Sequence, residues 1–177
     1  RQSATATTVT QSSQRAIVEW QGFDVGSAHS VTFAQPGSSA VVLNRVTGPD
    51  PSAIAGRISA NGQVVIINRN GVVFSEGAKV DAAGLVVSTA NIANRDFMAG
   101  RMNFSEPGKP GARIENRGTI TIKDAGIAAL VAPQVANSGV IRARMGHVVL
   151  AGAETHTVDL YGDGLVSLDV TSQVRRT

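Results

Sequence analysis

The chain has 177 residues, 42% hydrophobic and 16% charged, with no cysteine and a net charge of +3. That is enough apolar material for a folded core and too little charge for a disordered tail, and it excludes disulfides and thiolate-bound zinc. The basic residues are scattered, with a single doublet at Arg175-Arg176, so nucleic acid, which calls for a clustered basic face and stacking aromatics, is not an expected partner.

The chain opens on RQSATATT. No charged-then-apolar leader stands there, so a signal peptide is expected to be absent from this chain. No later run approaches the roughly 18 apolar residues of a spanning helix, and no stable membrane insertion is expected. Apolar residues come instead in runs of two to five, rich in Val and Ile and bounded by Gly, Asn, Asp and Ser. This is the chemistry of strands and turns. Trp20 is expected as a cap or a core residue of the first coil. GPDPSAIAG, residues 48–56, carries Pro49 and Pro51 and is expected to leave the regular pattern as a short excursion.

Next comes NGQVVIINRNGVVF, from Asn61 to Phe74. Asn-Gly favours the tight turn of a hairpin, but the same stretch also suits two sides of one coil in a stacked solenoid. Residues 95–111, RDFMAGRMNFSEPGKPG, break the pattern again. A small hairpin over one side is expected there, with Phe97, Met98 and Phe104 buried against it.

The following segments decide between hairpin and coil. IENRGTITIKDAGIAALVAPQ, from Ile114, aligns with VANSGVIRARMGHVVLAGAE, from Val135. At an offset of 21, Ile114 falls on Val135, Asn116 on Asn137, Gly118 on Gly139 and Ile120 on Ile141. After a turn one residue shorter in the second copy, Gly126 falls on Gly146 and Leu130 on Leu150. A shorter third copy, TVDLYGDGLVSLDV, sets Val158 under Ile141 and Leu168 under Leu150. Turns that vary while inward positions hold are the mark of a solenoid, since core positions must meet the layers above and below. The fold expected is all-β, a right-handed parallel β-helix with short extra-helical excursions, of about eight coils at a spacing of about 4.8 Å. Asn116, Gly118, Asn137 and Gly139 are expected to form a structural ladder at one corner. Residues 1–177 read as a single domain. The terminal SQVRRT has the look of a cut end, so a longer protein is expected to continue from it.

Parallel β-helices also host carbohydrate-active enzymes, which need paired carboxylates and aromatic platforms. Asp159, Asp163 and Asp169 are the densest acids, and they fall across a strand, a turn and the next strand. Trp20 and Tyr161 are the only residues of their kinds, and His29, His147 and His156 have no metal-ligand spacing. Neither catalysis nor a cofactor is expected. Asn103-Phe104-Ser105 matches a glycosylation tripeptide, a pattern common by chance.

Several marks together resemble a known family. They are NRVTG at 44–48, ANGQVVIIN at 60–68, NRNGVVF at 68–74 and VSTANI at 87–92. Dense from Gln11 to Ile92 and looser to about Val170, they resemble the amino-terminal secretion domain of two-partner-secretion exoproteins, the filamentous-haemagglutinin-like adhesins of high-molecular-weight type. The family's usual corner is Asn-Pro-Asn-Gly; here Arg69 stands in the proline's place between Asn68 and Asn70-Gly71. Its Asn-Pro-Asn-Leu motif is absent, and NRVTG occupies that region. The resemblance implies export to the periplasm and recognition by the POTRA domains of a TpsB-type outer-membrane β-barrel transporter. It also implies folding at the surface of a Gram-negative cell, with any adhesion to a host surface belonging to downstream regions; the alternative is an adhesin module that binds a host ligand directly. Asn44, Arg45, Asn68, Arg69, Asn70 and Gly71 are the candidate recognition residues. From the residues alone, each also reads as a plain turn or surface position.

Overall fold

The computed structural model describes residues 5–158 and the backbone of 166–168. Its strands follow one another around a coil. The first coil carries β1 (Ala6–Thr10) and β2 (Arg15–Trp20), and the second β3 (Ser30–Ala34), β4 (Val41–Val46) and β5 (Ser52–Ile54). The third has β6 (Arg57–Ala60), β7 (Gln63–Ile67) and β8 (Gly71–Phe74). In the fourth, β9 (Lys79–Ala82) and β10 (Gly84–Ser88) are followed by α1 (Asn94–Met98) and β11 (Asn103–Phe104) before β12 (Arg113–Asn116). The fifth has β13 (Thr119–Ile122), β14 (Ile127–Ala132) and β15 (Gln134–Asn137), and the sixth β16 (Val140–Ala143) and β17 (His147–Gly152). Two strands follow outside the coil, β18 (His156–Val158) and β19 (Val166–Leu168).

Strands at the same point of successive coils stack as three parallel faces. Face one runs β1-β3-β6-β9-β13-β16, face two β2-β4-β7-β10-β14-β17, and face three β5-β8-β12-β15. β7 pairs with β4 and β10, whereas β8 pairs with β5 and β12. NGQVVIINRNGVVF is therefore a corner between two faces of a coil and not a hairpin. The protein is a parallel β-helix, six layers deep among the described residues where about eight were expected. The aligned repeats stack as read: Ile114 on Val135, Asn116 on Asn137, Ile120 on Ile141 and Leu130 on Leu150.

The interior is built from columns such as Val31, Ile58, Val80 and Ile120 on face one, and Val42, Val64, Leu85 and Ala128 on face two. Face one alternates, as in Thr119–Ile122, where the isoleucines are buried and the threonines half-buried. Face two does not. All of β10 and all of β14 are buried, because a second apolar layer covers the outer side of this face. Val41, Leu43, Val65, Ile67, Val86, Ala129 and Val131 pack there against Phe97, Met102, Phe104 and Val158. Burial on both sides is why these strands read as unbroken apolar runs.

Three expectations are corrected. Residues 48–56 are not an excursion throughout: after the two prolines, β5 joins face three beside β8 and stays in the coil. Residues 95–111 do leave the coil, but as the short helix α1 and the strand β11 and not as a hairpin; Phe97 and Phe104 are buried, whereas Met98 is 51% exposed and Met102 takes the inward place. The third repeat lies largely outside the described residues, and its described ends do not join the coil faces. β18 runs antiparallel to β11 and to β19, with Val158 opposite Val166.

Candidate functional site

The candidate recognition residues sit where coils two, three and four meet. β7 ends at Ile67, and the Asn68 side chain turns the corner: its Oδ1 accepts a hydrogen bond from the Asn70 N–H at 2.9 Å, while the Gly71 N–H donates to the Asn68 carbonyl at 3.0 Å. An asparagine that accepts from the backbone two residues on is a turn device. Gly71 has φ +114°, and a Cβ there would lie 2.5 Å from the Arg113 carbonyl oxygen of the next layer. Only glycine fits both demands.

The two asparagine amides reach back to the layer before. Asn68 Nδ2 donates to the Asp50 carbonyl and to Ser52 Oγ, each at 3.0 Å, and Asn70 Nδ2 donates to the Gly48 carbonyl at 3.0 Å. The corner NRNG thus fastens the loop that follows NRVTG, so two motifs separated in the sequence form one unit. Asn68 is fully buried. Asn44 is also fully buried, inside the coil; its Nδ2 donates to the Val65 carbonyl at 3.2 Å, and its Oδ1 accepts from Trp20 Nε1 at 2.9 Å. Trp20 itself is half-buried against the first coils, edge-on to Phe23.

Arg45 points the opposite way, outward from β4. Its side chain is only 12% exposed, because it grips the segment leaving coil four. Nε donates to Asn91 Oδ1 at 2.8 Å and Nη2 to the Ile92 carbonyl at 2.6 Å, while Nη1 reaches Asn94 Oδ1 and, at 3.4 Å, Glu19. Arg45 is therefore a clamp, not a plain surface residue. Arg69 is exposed. Its carbonyl accepts from the Lys109 N–H at 2.9 Å as the chain returns to the coil, and its own N–H donates no hydrogen bond among the described residues. Between these elements lies a cleft of about 300 Å³, lined in part by Arg45, Thr47, Arg69, Asn91 and Glu106. Asn91 closes one side, pairing with Glu106 through both backbone and side chain.

The second group of candidates lies on face three, where it continues into face one. Asn116 Nδ2 donates to Asn137 Oδ1 at 2.9 Å in the layer above, and Asn116 Oδ1 accepts from the Gly118 N–H at 3.1 Å. Gly118 and Gly139 stack so closely that a Cβ on Gly139 would lie 2.2 Å from the Gly118 carbonyl oxygen. This ladder is structural and apart from the cleft.

No group of three His, Asp or Glu residues that could hold a metal occurs among the described residues, and Asp159, Tyr161, Asp163 and Asp169 lie outside them. Sequence reasoning missed Arg15 as a partner of the coil-four segment: its Nη1 donates to the Phe97 carbonyl at 2.7 Å, and its guanidinium lies 5.2 Å from the Phe97 ring centroid. Asn91 was within reach, since it stands in the VSTANI motif.

The chain belongs to the TPS secretion-domain family, the secretion domains of two-partner exoproteins, whose model matches residues 1–174. Among solved structures it is similar to the HMW1 secretion domain of Haemophilus influenzae, at a TM-score of 0.81 and 28% identity over 97% of this chain and 45% of that one. Among curated proteins it is similar to the heme/hemopexin-binding protein of Haemophilus influenzae, 41% identical over 85 residues, and to that protein of strain KW20, at 39%. Those matches cover 48% of this chain and 9% of the relatives' length. The chain thus corresponds to a small part of such proteins.

Proposed function

We propose that this domain is the export signal of a larger exoprotein, read by the periplasmic POTRA domains of a cognate outer-membrane β-barrel transporter, and that it folds once it reaches the cell surface. The observation that carries the reading is the engagement of the corner. Asn68 and Asn70 donate their amides to the preceding layer, and Asn68 has no exposed surface. A partner that reads these side chains must do so before the coil closes, when the segment is extended and can add to a sheet edge. Folding then withdraws the asparagines from the partner and disfavours return. A folding free energy of about 5–15 kcal/mol is ample to bias movement outward without a nucleotide. The absence of cysteine fits, since no crosslink can form before passage.

The test uses isolated POTRA domains and this chain, offered either in urea, at a concentration the POTRA domains survive, or folded. Binding of the unfolded chain, weakened by Asn68→Ala with Asn70→Ala and lost on folding, is the expected result. Equal binding by wild type and the double variant in the unfolded state removes the corner from recognition.

A further inference from the structure

The segment between Thr89 and Gly111 lies as a strap across the outer side of face two. Arg15 and Arg45, from the first two coils, hold its near part. Its far part, β11, is covered by β18, which arrives after the sixth coil. The strap is thus gripped from the first two layers and closed by a strand that lies outside the coil.

The closing contact is small. β11 and β18 share two residue pairs, His156 with Phe104 and Thr157 with Asn103, extended by the Val158 N–H donating to the Met102 carbonyl at 3.0 Å. By comparison, β14 and β17 share six pairs. At its centre the His156 ring lies flat on Phe104, with centroids 4.4 Å apart and planes at 8°. His156 is 2% exposed, and neither ring nitrogen has a hydrogen-bond partner among the described residues. Phe104 and Val158 share this layer with Ala129, Val131, Ala151 and Ala153 of the coil.

We propose that the β11–β18 contact is an acid-operated latch, in which protonation of His156 releases the strap from face two while the coil beneath stays closed. A buried imidazole with two bare nitrogens is tolerable only when neutral. A cation there would need hydrogen bonds that the apolar layer cannot supply. Stacking on Phe104 offsets only a small part of that loss. Burial alone pushes the imidazole down from its usual range to about 4; no charged neighbour contributes. The charges of the strap are engaged with other partners, Asp96 with Arg101 and Glu106 with Asn91. Arg95 and Glu154 likewise contribute nothing to the shift, and Asp159 lies outside the described residues. Because the latch has two pairs and the coil layers have up to six, the strap gives way first.

Hydrogen exchange of this chain at pH 7.5 and 4.5, corrected for intrinsic rates, tests the latch. Protection of the latch amides, Phe104 in the strap and Val158 in β18, should fall on the order of 50-fold, the factor given by an imidazole that titrates at about 4 when latched and about 6.5 when free. The amides of Val86 and Ala129, inside face two, should change little. In His156→Phe the strap amides should stay protected at both pH values. A parallel loss across the coil, or a pH response that survives in His156→Phe, overturns the latch. Should that variant fold poorly, NMR of the wild-type ring decides: titration near 6.5 with the strap amides still protected also overturns it.

Discussion

At the scale of single residues, the corner shows how a short polar motif can be wholly structural in the folded protein. Removing the Asn68 side chain leaves Ser52 Oγ without its partner in a buried place, and the Asp50 carbonyl and the Asn70 N–H without theirs in half-buried ones. Asn68→Ala should therefore lower stability by about 2–4 kcal/mol, read as a shift of the urea midpoint at constant slope. Arg69 stands in contrast. It lies on the surface, and its N–H makes no hydrogen bond among the described residues. Arg69→Pro, which restores the family's usual corner, should keep stability within about 1 kcal/mol of wild type. A larger loss would mean that the turn at 69 rejects the proline φ. The sequence made the turn legible through Asn-Gly. What it could not disclose was the destination of the amides, because Gly48, Asp50 and Ser52 approach the corner only through the coil.

At the scale of elements, the strap depends on arginines from distant coils. Arg45→Ala takes a charged donor from the Ile92 carbonyl and from Asn91, so we expect a loss of about 2–3 kcal/mol. Trypsin cleavage within residues 95–109 should also become several-fold faster at neutral pH. Acid acts at the other end. Between about pH 6.5 and 4 the unfolded chain binds a proton at His156 that the folded chain does not. Stability therefore falls as the pH is lowered through that window and levels off below it. The ceiling is about 3 kcal/mol, reduced where the latch opens before the coil does. A urea midpoint that falls less steeply over this window in His156→Phe than in wild type is the expected signature. Elements also mark where sequence reading faltered. The prolines of 48–51 suggested an excursion, yet β5 resumes the coil directly after them. Met98 and Met102 are interchangeable by composition, and only the turn of α1 decides which faces inward. The apolar runs of face two carried a signal that period-two reading passes over: unbroken apolar strands announce a covering layer.

At the scale of the whole molecule, the coil was the most legible feature, because stacking imposes a rule that the chain must obey in every layer. Ile120 and Ile141 had to fall in one column, as had Asn116 and Asn137, and an offset of 21 residues recorded both. The strap obeys no such rule. Its contacts join residues such as Arg15 and Phe97, 82 positions apart, and β18 resembles one more coil until its antiparallel pairing is seen. A solenoid of this kind gains its stability layer by layer, which suits a chain delivered end first and folding as it emerges. The direct measurement is export itself: this chain, tagged and given a signal peptide, produced with and without its cognate transporter. Folded chain is expected in the medium only when the transporter is present, and far less of it with Asn68→Ala and Asn70→Ala combined. Chain retained in the periplasm despite the transporter, or released equally without it, would show that the domain is not an export signal.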